Sequence, residues 1–256
     1  MKTIHKHGNP PYQTALLHGG PGALGGMGTV AEELSKQSGI LELIQTQKSV
    51  QGQVDELKEQ LKAAATFPVT LVGWSWGAWL GYLFASENPG LVRKLILVSS
   101  GAFESKYNVG FEENRLNKLA PEERKKAERL IALLNSGKGD NVIFSKMGRL
   151  MTKADAYAYD FDEPPVDVDL SIFETVWPEA AALRKSNKLI GYAQNISCPV
   201  VAIHGEYDSH PVEAIEISLS ENLKDFRMIR LKKCGHTPWR EKFARDMFYK
   251  VLQQEL

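Results

Sequence analysis

The sequence predicts an α/β fold in which a mostly parallel sheet of about six to seven strands has helices on both faces. Three observations lead to this prediction. Short apolar runs alternate with stretches of helical spacing, the pattern of strands that are buried on both sides. The chain has 256 residues, 43% of them hydrophobic, which is enough for one large core. A charged and mostly helical stretch at 102–191 interrupts the alternation, which indicates an insertion.

The first part of the chain supplies four of the expected strands and the helices between them. Each expected strand is a short apolar run, at 14–17, 40–44, 69–72 and 94–98. Helices are expected at 30–38, along the apolar repeat from Val54 to Ala65, and at 77–86. The strand and helix order therefore follows a repeated β–α pattern up to the insertion.

The insertion at 102–191 is expected to form a helical cap, so that 1–101 and 192–256 form the core. One cap helix is expected to begin near Pro121 and to end before Gly137. Beyond the cap, strands are expected at 199–203 and 226–231 and a last helix at about 240–253. Ligands of such sheets bind outside the carboxyl ends of the strands, where the insertion begins and ends, so the cap is expected to act as a lid.

Composition excludes several classes of partner. Lys and Arg number 31, as do Asp and Glu, so nothing indicates nucleic acid or an anionic membrane as partner. Cys198 and Cys234 have neither a disulfide pattern nor zinc-ligand spacing. The chain shows no signal peptide and no apolar run of membrane-spanning length. We therefore expect a cytoplasmic protein that needs no metal or cofactor, acts on a small molecule or short peptide, and has an undetermined oligomeric state.

The segment Gly-Trp-Ser-Trp-Gly at 73–77 separates an apolar strand from an apolar helix. A G-x-S-x-G sequence in this position is typical of a nucleophile elbow. The two glycines leave room for the sharp turn, and the serine stands at a helix N-terminus that favours developing negative charge. Ser75 is therefore the predicted nucleophile; the alternative is a glycine turn with an unreactive serine.

A nucleophilic serine needs a base, and His236 is the predicted one. It follows the last expected strand and opens at the same sheet end as Ser75. The other five histidines are assigned to polar, structural or loop positions; they are His5, His7, His18, His204 and His210.

The acid that orients the base is expected on another loop at this end of the sheet. The loop after the penultimate strand offers Glu206 and Asp208, and Asp208 lies further into it. The loop after Val98 contains no carboxylate before Glu104. Asp208 is therefore the predicted acid, and the order serine, aspartate, histidine agrees with a nucleophile-elbow hydrolase.

An oxyanion hole is expected from two backbone N–H groups. The residue after the nucleophile, Trp76, is expected to supply one. The turn His-Gly-Gly-Pro-Gly at 18–22 is expected to supply the other, and Pro21 is excluded because it has no N–H. Gly20 is preferred, with Gly19 as the alternative, and Gly19 is also a candidate for substrate binding together with Trp74 and Trp177.

Aromatic residues around the elbow and in the cap are candidates for substrate binding. Trp74 and Trp76 flank the serine, and Trp76 is a candidate wall of an acyl pocket, whereas Trp79 is expected in the core. The cap carries further aromatic residues suited to an apolar lid: Tyr157, Tyr159, Phe161, Phe173 and Trp177. Seven carboxylates and no Lys or Arg lie within 155–174, which indicates either attraction of a cationic substrate or a solvated acidic loop.

Four motifs carry a resemblance over nearly the whole length: HGGPG at 18–22, GWSWG at 73–77, HGEYD at 204–208 and CGHTPW at 234–239. With them the chain resembles α/β-hydrolase fold proteins, and HGGPG with Ser-Trp-Gly resembles the proline iminopeptidase branch. This branch removes N-terminal proline from short peptides. The resemblance implies the triad of Ser75, Asp208 and His236.

The chain departs from that branch in three ways. Ser209 stands where an acidic residue often follows the triad acid, the insertion is shorter, and few residues precede the first expected strand, so a shorter sheet is expected.

The leading interpretation is a serine hydrolase that cleaves small esters or amides through an acyl-enzyme. A first alternative is an iminopeptidase-like aminopeptidase, which requires a cap carboxylate such as Glu174 or Glu179 at the site. A second is a non-catalytic relative that binds a ligand. A third is a lyase or C–C bond hydrolase on the same scaffold.

Overall fold

The computed structural model describes residues 2–159 and 166–256 and contains a seven-stranded sheet flanked by helices. The strands are β1 (Ile4–His7), β2 (Tyr12–Leu17), β3 (Ala23–Leu24), β4 (Gly39–Leu43), β5 (Val69–Trp74), β6 (Val92–Val98), β7 (Asp167–Val168), β8 (Val200–Gly205) and β9 (Phe226–Leu231). The helices are α1 (Gly28–Leu34), α2 (Val50–Ala64), α3 (Trp76–Glu87), α4 (Phe111–Leu116), α5 (Pro121–Asn135), α6 (Asn141–Ala154), α7 (Leu170–Lys185), α8 (Lys188–Gly191), α9 (Val212–Asn222) and α10 (Arg245–Glu255).

The main sheet has the order β1-β4-β2-β5-β6-β8-β9. All neighbouring strands run parallel except β1, which pairs antiparallel with β4. The predicted mostly parallel sheet is therefore confirmed. The two short strands β3 and β7 form a separate antiparallel pair. Since β5 lies in the middle of the main sheet, the turn that follows it is placed at the centre of the carboxyl edge.

The N-terminal strand β1 was not predicted, because the sequence indicates a shorter sheet. Its residues Ile-His-Lys-His are only half-buried or exposed, so they form no apolar run. The strand pairs along the outer side of β4, with Ile4 opposite Leu43. His7 lies on this strand, and its Nε2 is 3.3 Å from a carboxylate oxygen of Glu42.

The core lies on both faces of the sheet, since successive residues of a strand point to opposite sides. Leu17 and Leu71 belong to the apolar cluster that includes residues of α2 and α3. Their neighbours Leu16 and Val72 belong to the cluster that includes residues of α1 and α10. In the strands β2, β4, β5, β6 and β8 most residues are therefore buried, which is why apolar runs in the sequence predicted where these strands lie.

Helices α4 to α7 lie between β6 and β8, in the stretch for which a cap is predicted. We call 111–159 and 166–185 the cap segment. It has a small apolar cluster of its own, formed by Leu116, Leu119, Ala127, Leu150, Met151 and Ala154. The predicted helix with Pro121 in its first turn is present. The division into core and cap at 102 and 191 stays a prediction.

Cys198 and Cys234 are free thiols, and burial raises the pKa of Cys198 to about 11. Burial also raises the pKa of Cys234. A buried thiol whose pKa is raised is a poor nucleophile, so the cysteines offer no rival to a serine. Among the described residues, no helix combines the length and apolarity that a membrane crossing requires.

Candidate active site

Ser75 lies between β5 and α3 with a backbone φ of 54° and ψ of −113°. A positive φ is uncommon for a residue other than glycine and costs free energy, so surrounding contacts must hold it. The Ser75 N–H donates to the Val98 oxygen at the end of β6, at 2.9 Å. A Cβ on Gly73 would come within 2.1 Å of the Gly77 oxygen, and one on Gly77 within 2.3 Å of the Leu17 oxygen. Both glycines of the motif are therefore required by space.

His236 lies on the loop between β9 and a short 3-10 helix at Pro238–Arg240. Two hydrogen bonds fix its backbone. The His236 N–H donates to the backbone oxygen of Asp155 at 3.0 Å, and Trp74 Nε1 donates to the backbone oxygen of His236 at 2.9 Å. The residue before Ser75 therefore holds the loop that carries the histidine.

Asp208 and His236 are hydrogen-bonded, with 2.7 Å between Asp208 Oδ2 and His236 Nδ1. The Asp208 side chain is fully buried, and that of His236 is 12% exposed. The other carboxylate oxygen, Oδ1, accepts the His210 N–H at 2.9 Å. Both oxygens of Asp208 thus have a donor, which fixes the carboxylate against the imidazole.

The charge states follow from this pairing. Burial alone would raise the pKa of Asp208, but the charges of His236 and His204 and the His236 hydrogen bond together lower it. Burial alone would lower the pKa of His236, but the charge and hydrogen bond of Asp208 raise it above its ordinary value of 6.5. An ionised carboxylate only accepts hydrogen bonds, so His236 carries its proton on Nδ1. In the neutral imidazole, Nε2 is then free to accept a proton.

Ser75 and His236 lie at the same edge of the sheet. Trp74 links them, because it precedes Ser75 in the chain and its indole N–H donates to the backbone oxygen of His236. Within the described part of the chain, no hydrogen bond joins the Ser75 hydroxyl to the His236 ring. Catalytic hydrogen bonds are often long without substrate and shorten in the complex.

The two expected oxyanion-hole donors follow neighbouring strands, Gly20 after β2 and Trp76 after β5. Trp76 is the first residue of α3, so its N–H has no carbonyl partner within the helix. Gly20 has a φ of +52° in the turn after β2, a conformation that favours glycine. A Cβ on Gly19 would lie 2.6 Å from the Trp74 ring, so this glycine serves close packing.

The aromatic side chains near the elbow divide between core and cap. Trp76 is 3% exposed and donates through Nε1 to Gln53 Oε1 at 2.8 Å, so its ring packs in the core; its expected place in the wall of an acyl pocket stays a prediction. Trp79 stacks on Trp177 of α7 with ring centroids 6.1 Å apart. Trp177 in turn stacks on Phe173, also at 6.1 Å. Phe161, a further predicted lid residue, lies outside the described residues.

Trp74 borders a cavity of about 500 Å³ between the sheet edge and α6. Its apolar lining comes from Ala23, Trp74, Phe144, Leu150, Val166 and Val168. Three cationic side chains, Arg149, Lys153 and Arg240, also line it. The volume lies within the range of small-molecule sites.

The other histidines of the site region hold loops in place. His18 is buried, its Nδ1 lies 3.0 Å from the Gly19 oxygen, and its Nε2 accepts the Gln45 N–H at 3.1 Å. His204 is buried with Nε2 2.9 Å from the His210 oxygen. Burial lowers the pKa of His18, of His204 and of His210, whose own N–H bonds to Asp208.

One group of described residues has the composition of a metal site. Asp208, His210 and His236 offer ligand atoms within 4.8 Å of one another. Since Asp208 and His236 are already hydrogen-bonded to each other, a metal here would replace their pairing.

Two cap carboxylates, Glu174 and Glu179, were candidates for binding the amine of a peptide substrate. Glu179 Oε2 accepts the Val50 N–H at 2.8 Å, at the first turn of α2. Glu174 is exposed to solvent. Glu241 and Asp155 also contact the His236 loop, and neither is among the predicted site residues. No local motif marks them, because the bonds from Tyr157 and Ala158 to Glu241 and from His236 to Asp155 join segments about 80 residues apart.

No protein-family model matches the chain. A curated relative, the pimeloyl-acyl-carrier-protein methyl ester esterase of Nitrosospira multiformis, is 27% identical over 204 residues, which cover 73% of this chain and 69% of that protein. Two solved structures are similar over 98% of this chain and 93% of theirs. These are VinJ, with a TM-score of 0.71 and 17% identity, and the proline iminopeptidase of Mycobacterium smegmatis, with 0.66 and 16%.

At these identities the structural likeness extends to the fold and not to the reaction. The iminopeptidase branch that two motifs suggest therefore stays a prediction. The strand order, the strand–serine–helix turn and the solved structures agree with one another. Together they establish that the chain has the α/β-hydrolase fold.

Proposed function

We propose that the protein is a serine hydrolase that cleaves small carboxylic esters through an acyl-enzyme on Ser75. The observation that carries the proposal is the 2.7 Å hydrogen bond between Asp208 and His236. A buried, ionised carboxylate on Nδ1 leaves Nε2 as a base at the edge where Ser75 is held in its elbow. A binding protein would have no need of this pairing.

In the first step Ser75 Oγ attacks the ester carbonyl carbon while His236 Nε2 accepts the hydroxyl proton. The Asp208 carboxylate stabilises the imidazolium that forms. We assign the N–H groups of Trp76 and Gly20 as the donors to the oxyanion. His236 then gives its proton to the departing alkoxide, and the alcohol leaves.

In the second step water attacks the acyl-enzyme, with His236 Nε2 accepting the proton of the water. Collapse of the second oxyanion returns the proton to Ser75 and releases the acid. Every proton transfer uses Nε2 of His236, while Nδ1–H stays hydrogen-bonded to Asp208. The apolar cavity beside Trp74 is suited to an acyl chain or to the alcohol group.

We propose esters and not amides as substrates for two reasons. The curated relative is an ester-cleaving enzyme by its name. The aminopeptidase alternative requires a carboxylate for the substrate ammonium, and Glu179 is instead bonded to the Val50 N–H of α2.

The test is labelling with a fluorophosphonate probe, with Ser75→Ala as control and mass spectrometry to locate the label. We expect labelling of Ser75 in the wild type and none in the variant. Hydrolysis of p-nitrophenyl esters is then compared with that of proline and alanine anilides. Faster cleavage of the proline anilide would favour the aminopeptidase, and absence of labelling in folded protein would favour a ligand-binding protein.

A further inference from the structure

Glu241 is a fully buried carboxylate that the hydrolytic mechanism does not use. Its Oε1 accepts the N–H groups of Gly235 and Tyr157, each at 2.8 Å. Its Oε2 accepts the Ala158 N–H at 2.7 Å. Three backbone donors thus converge on one side chain, which offsets the cost of burying its charge.

These donors come from two segments that are far apart in sequence. Gly235 directly precedes His236, whereas Tyr157 and Ala158 follow α6 within the cap segment. Further backbone bonds join the same two segments. The His236 N–H donates to the backbone oxygen of Asp155 at 3.0 Å, and the Lys242 N–H donates to the backbone oxygen of Ala158 at 2.9 Å.

The contact between the segments leaves no room for a side chain at residue 235. A Cβ on Gly235 would lie 1.9 Å from the Asp155 oxygen and 2.6 Å from Glu241 Oε1. The loop that carries His236 is therefore pressed against the cap segment, with the Glu241 carboxylate between them.

We propose that Glu241 is a positioning residue for His236, and that through it the placement of the imidazole depends on residues 155–158 of the cap segment. The proposal rests on the proposed function, since it gives the His236 loop a role in hydrolysis. The Glu241 carboxylate accepts the Gly235 N–H, and the backbone oxygen of Asp155 accepts the N–H of the next residue, His236. Two consecutive peptide groups are thereby held while the ring faces Asp208.

The site requires a carboxylate in particular. Three N–H groups point at two oxygens that only accept, whereas glutamine would present an NH2 donor to at least one of them. Glu241→Gln thus retains the size of the side chain and removes part of the acceptor set. An effect of this substitution on His236 is transmitted through the backbone, because Glu241 does not contact the ring.

The matched control is Glu255→Gln. Glu255 is also a buried carboxylate, 6% exposed, but it pairs with Arg227 and Lys94 at the end of α10. Both variants are expected to lower the melting temperature. With a p-nitrophenyl ester, Glu241→Gln should lower kcat by about 10- to 100-fold with KM within about twofold of wild type, whereas Glu255→Gln should change neither.

Two further readouts separate positioning from general stability. The acid limb of the kcat/KM profile should move to lower pH in Glu241→Gln, because His236 would be less well paired with Asp208. The downfield proton resonance of His236 Nδ1–H should shift or broaden in this variant and stay unchanged in Glu255→Gln. The resonance needs no substrate, so it tests the proposal even if the protein does not hydrolyse esters.

Lys242→Pro provides a second variant that keeps the Glu241 carboxylate. It removes the N–H that bonds to Ala158, and Glu241 has a φ of −86° and ψ of 118°, which a following proline tolerates. We expect a three- to tenfold loss of kcat. Wild-type kcat, pH profile and proton resonance in folded Glu241→Gln would overturn the proposal, as would an unchanged Lys242→Pro enzyme if Glu241→Gln does not fold.

Discussion

Trp74 Nε1 donates a hydrogen bond to the backbone oxygen of His236 over 2.9 Å, and the two rings lie 5.8 Å apart. The residue that enters the serine turn therefore also holds the histidine loop. Because the Trp74 ring also packs on Gly19, it contacts the three loops proposed to supply nucleophile, base and oxyanion donors. A disturbance at this ring should affect catalysis more than folding.

Trp74→Phe should keep most of the packing and lose the indole N–H. Removing a hydrogen bond of this kind typically costs about 1–2 kcal/mol, which corresponds to a fall in kcat/KM of about 5- to 30-fold. The measurement is ester hydrolysis beside a thermal melt. A large fall in melting temperature with unchanged kcat/KM would contradict this assignment.

The pH dependence follows from the raised pKa of His236. The base acts only when neutral, so kcat/KM should fall as the pH drops through a value above 6.5. Asp208→Asn removes the charge that raises this pKa, and burial then lowers it, so the inflection should move below 6.5. The plateau should fall by about three to four orders of magnitude, as in other triads. An inflection that stays in place would mean that another group titrates.

Gly77→Ala should be strongly destabilising, because its Cβ would lie 2.3 Å from the Leu17 oxygen. Overpacking of this kind costs about 1–3 kcal/mol or more. The control is Gly148→Ala on α6, where a Cβ meets nothing within 4 Å and helix propensity predicts a small gain of stability. Urea unfolding of both variants checks the difference, and equal stabilities would contradict the packing at the elbow.

Trp177→Ala should loosen the cap segment, since the ring lies between Trp79 and Phe173. Truncation of a large buried aromatic costs about 3–5 kcal/mol, and Trp177 is half-buried, so a loss near the lower value is expected. Trp177→Phe should recover most of it. An altered KM with an unchanged melting temperature would instead indicate that the ring contacts substrate.

Much of the fold was predictable because its central strands are buried on both faces. The apolar run at 69–72 extends by two residues to Trp74 in β5. The edge strand β9 also lies at 226–231 as predicted, although Arg227 and Arg230 in it are exposed. The strand β1 was missed since an edge strand needs no apolar run. Backbone pairing with β4 holds its polar residues in place, and pairing leaves no periodic signal in the sequence.

The site was predictable only where its chemistry is local. Motif context selected Ser75, Asp208 and His236, and the structure places the latter two in hydrogen-bond contact. The direction of a side chain is not local. The Trp76 ring points to Gln53 in the core, and Glu241 gains two of its three partners from a segment that precedes it by about 80 residues. Such contacts depend on how the cap segment meets the sheet.

The stack of Trp79, Trp177 and Phe173 joins a helix of the sheet layer to a helix of the cap segment. Indole emission depends on the polarity and the neighbours of the ring, so separating Trp177 from Trp79 would change the fluorescence of both. The protein therefore carries an intrinsic optical reporter of the distance between α3 and α7. Stopped-flow fluorescence of the unlabelled enzyme, with Trp177→Phe to account for the emission of the other four tryptophans, would test whether the cap segment moves when substrate binds.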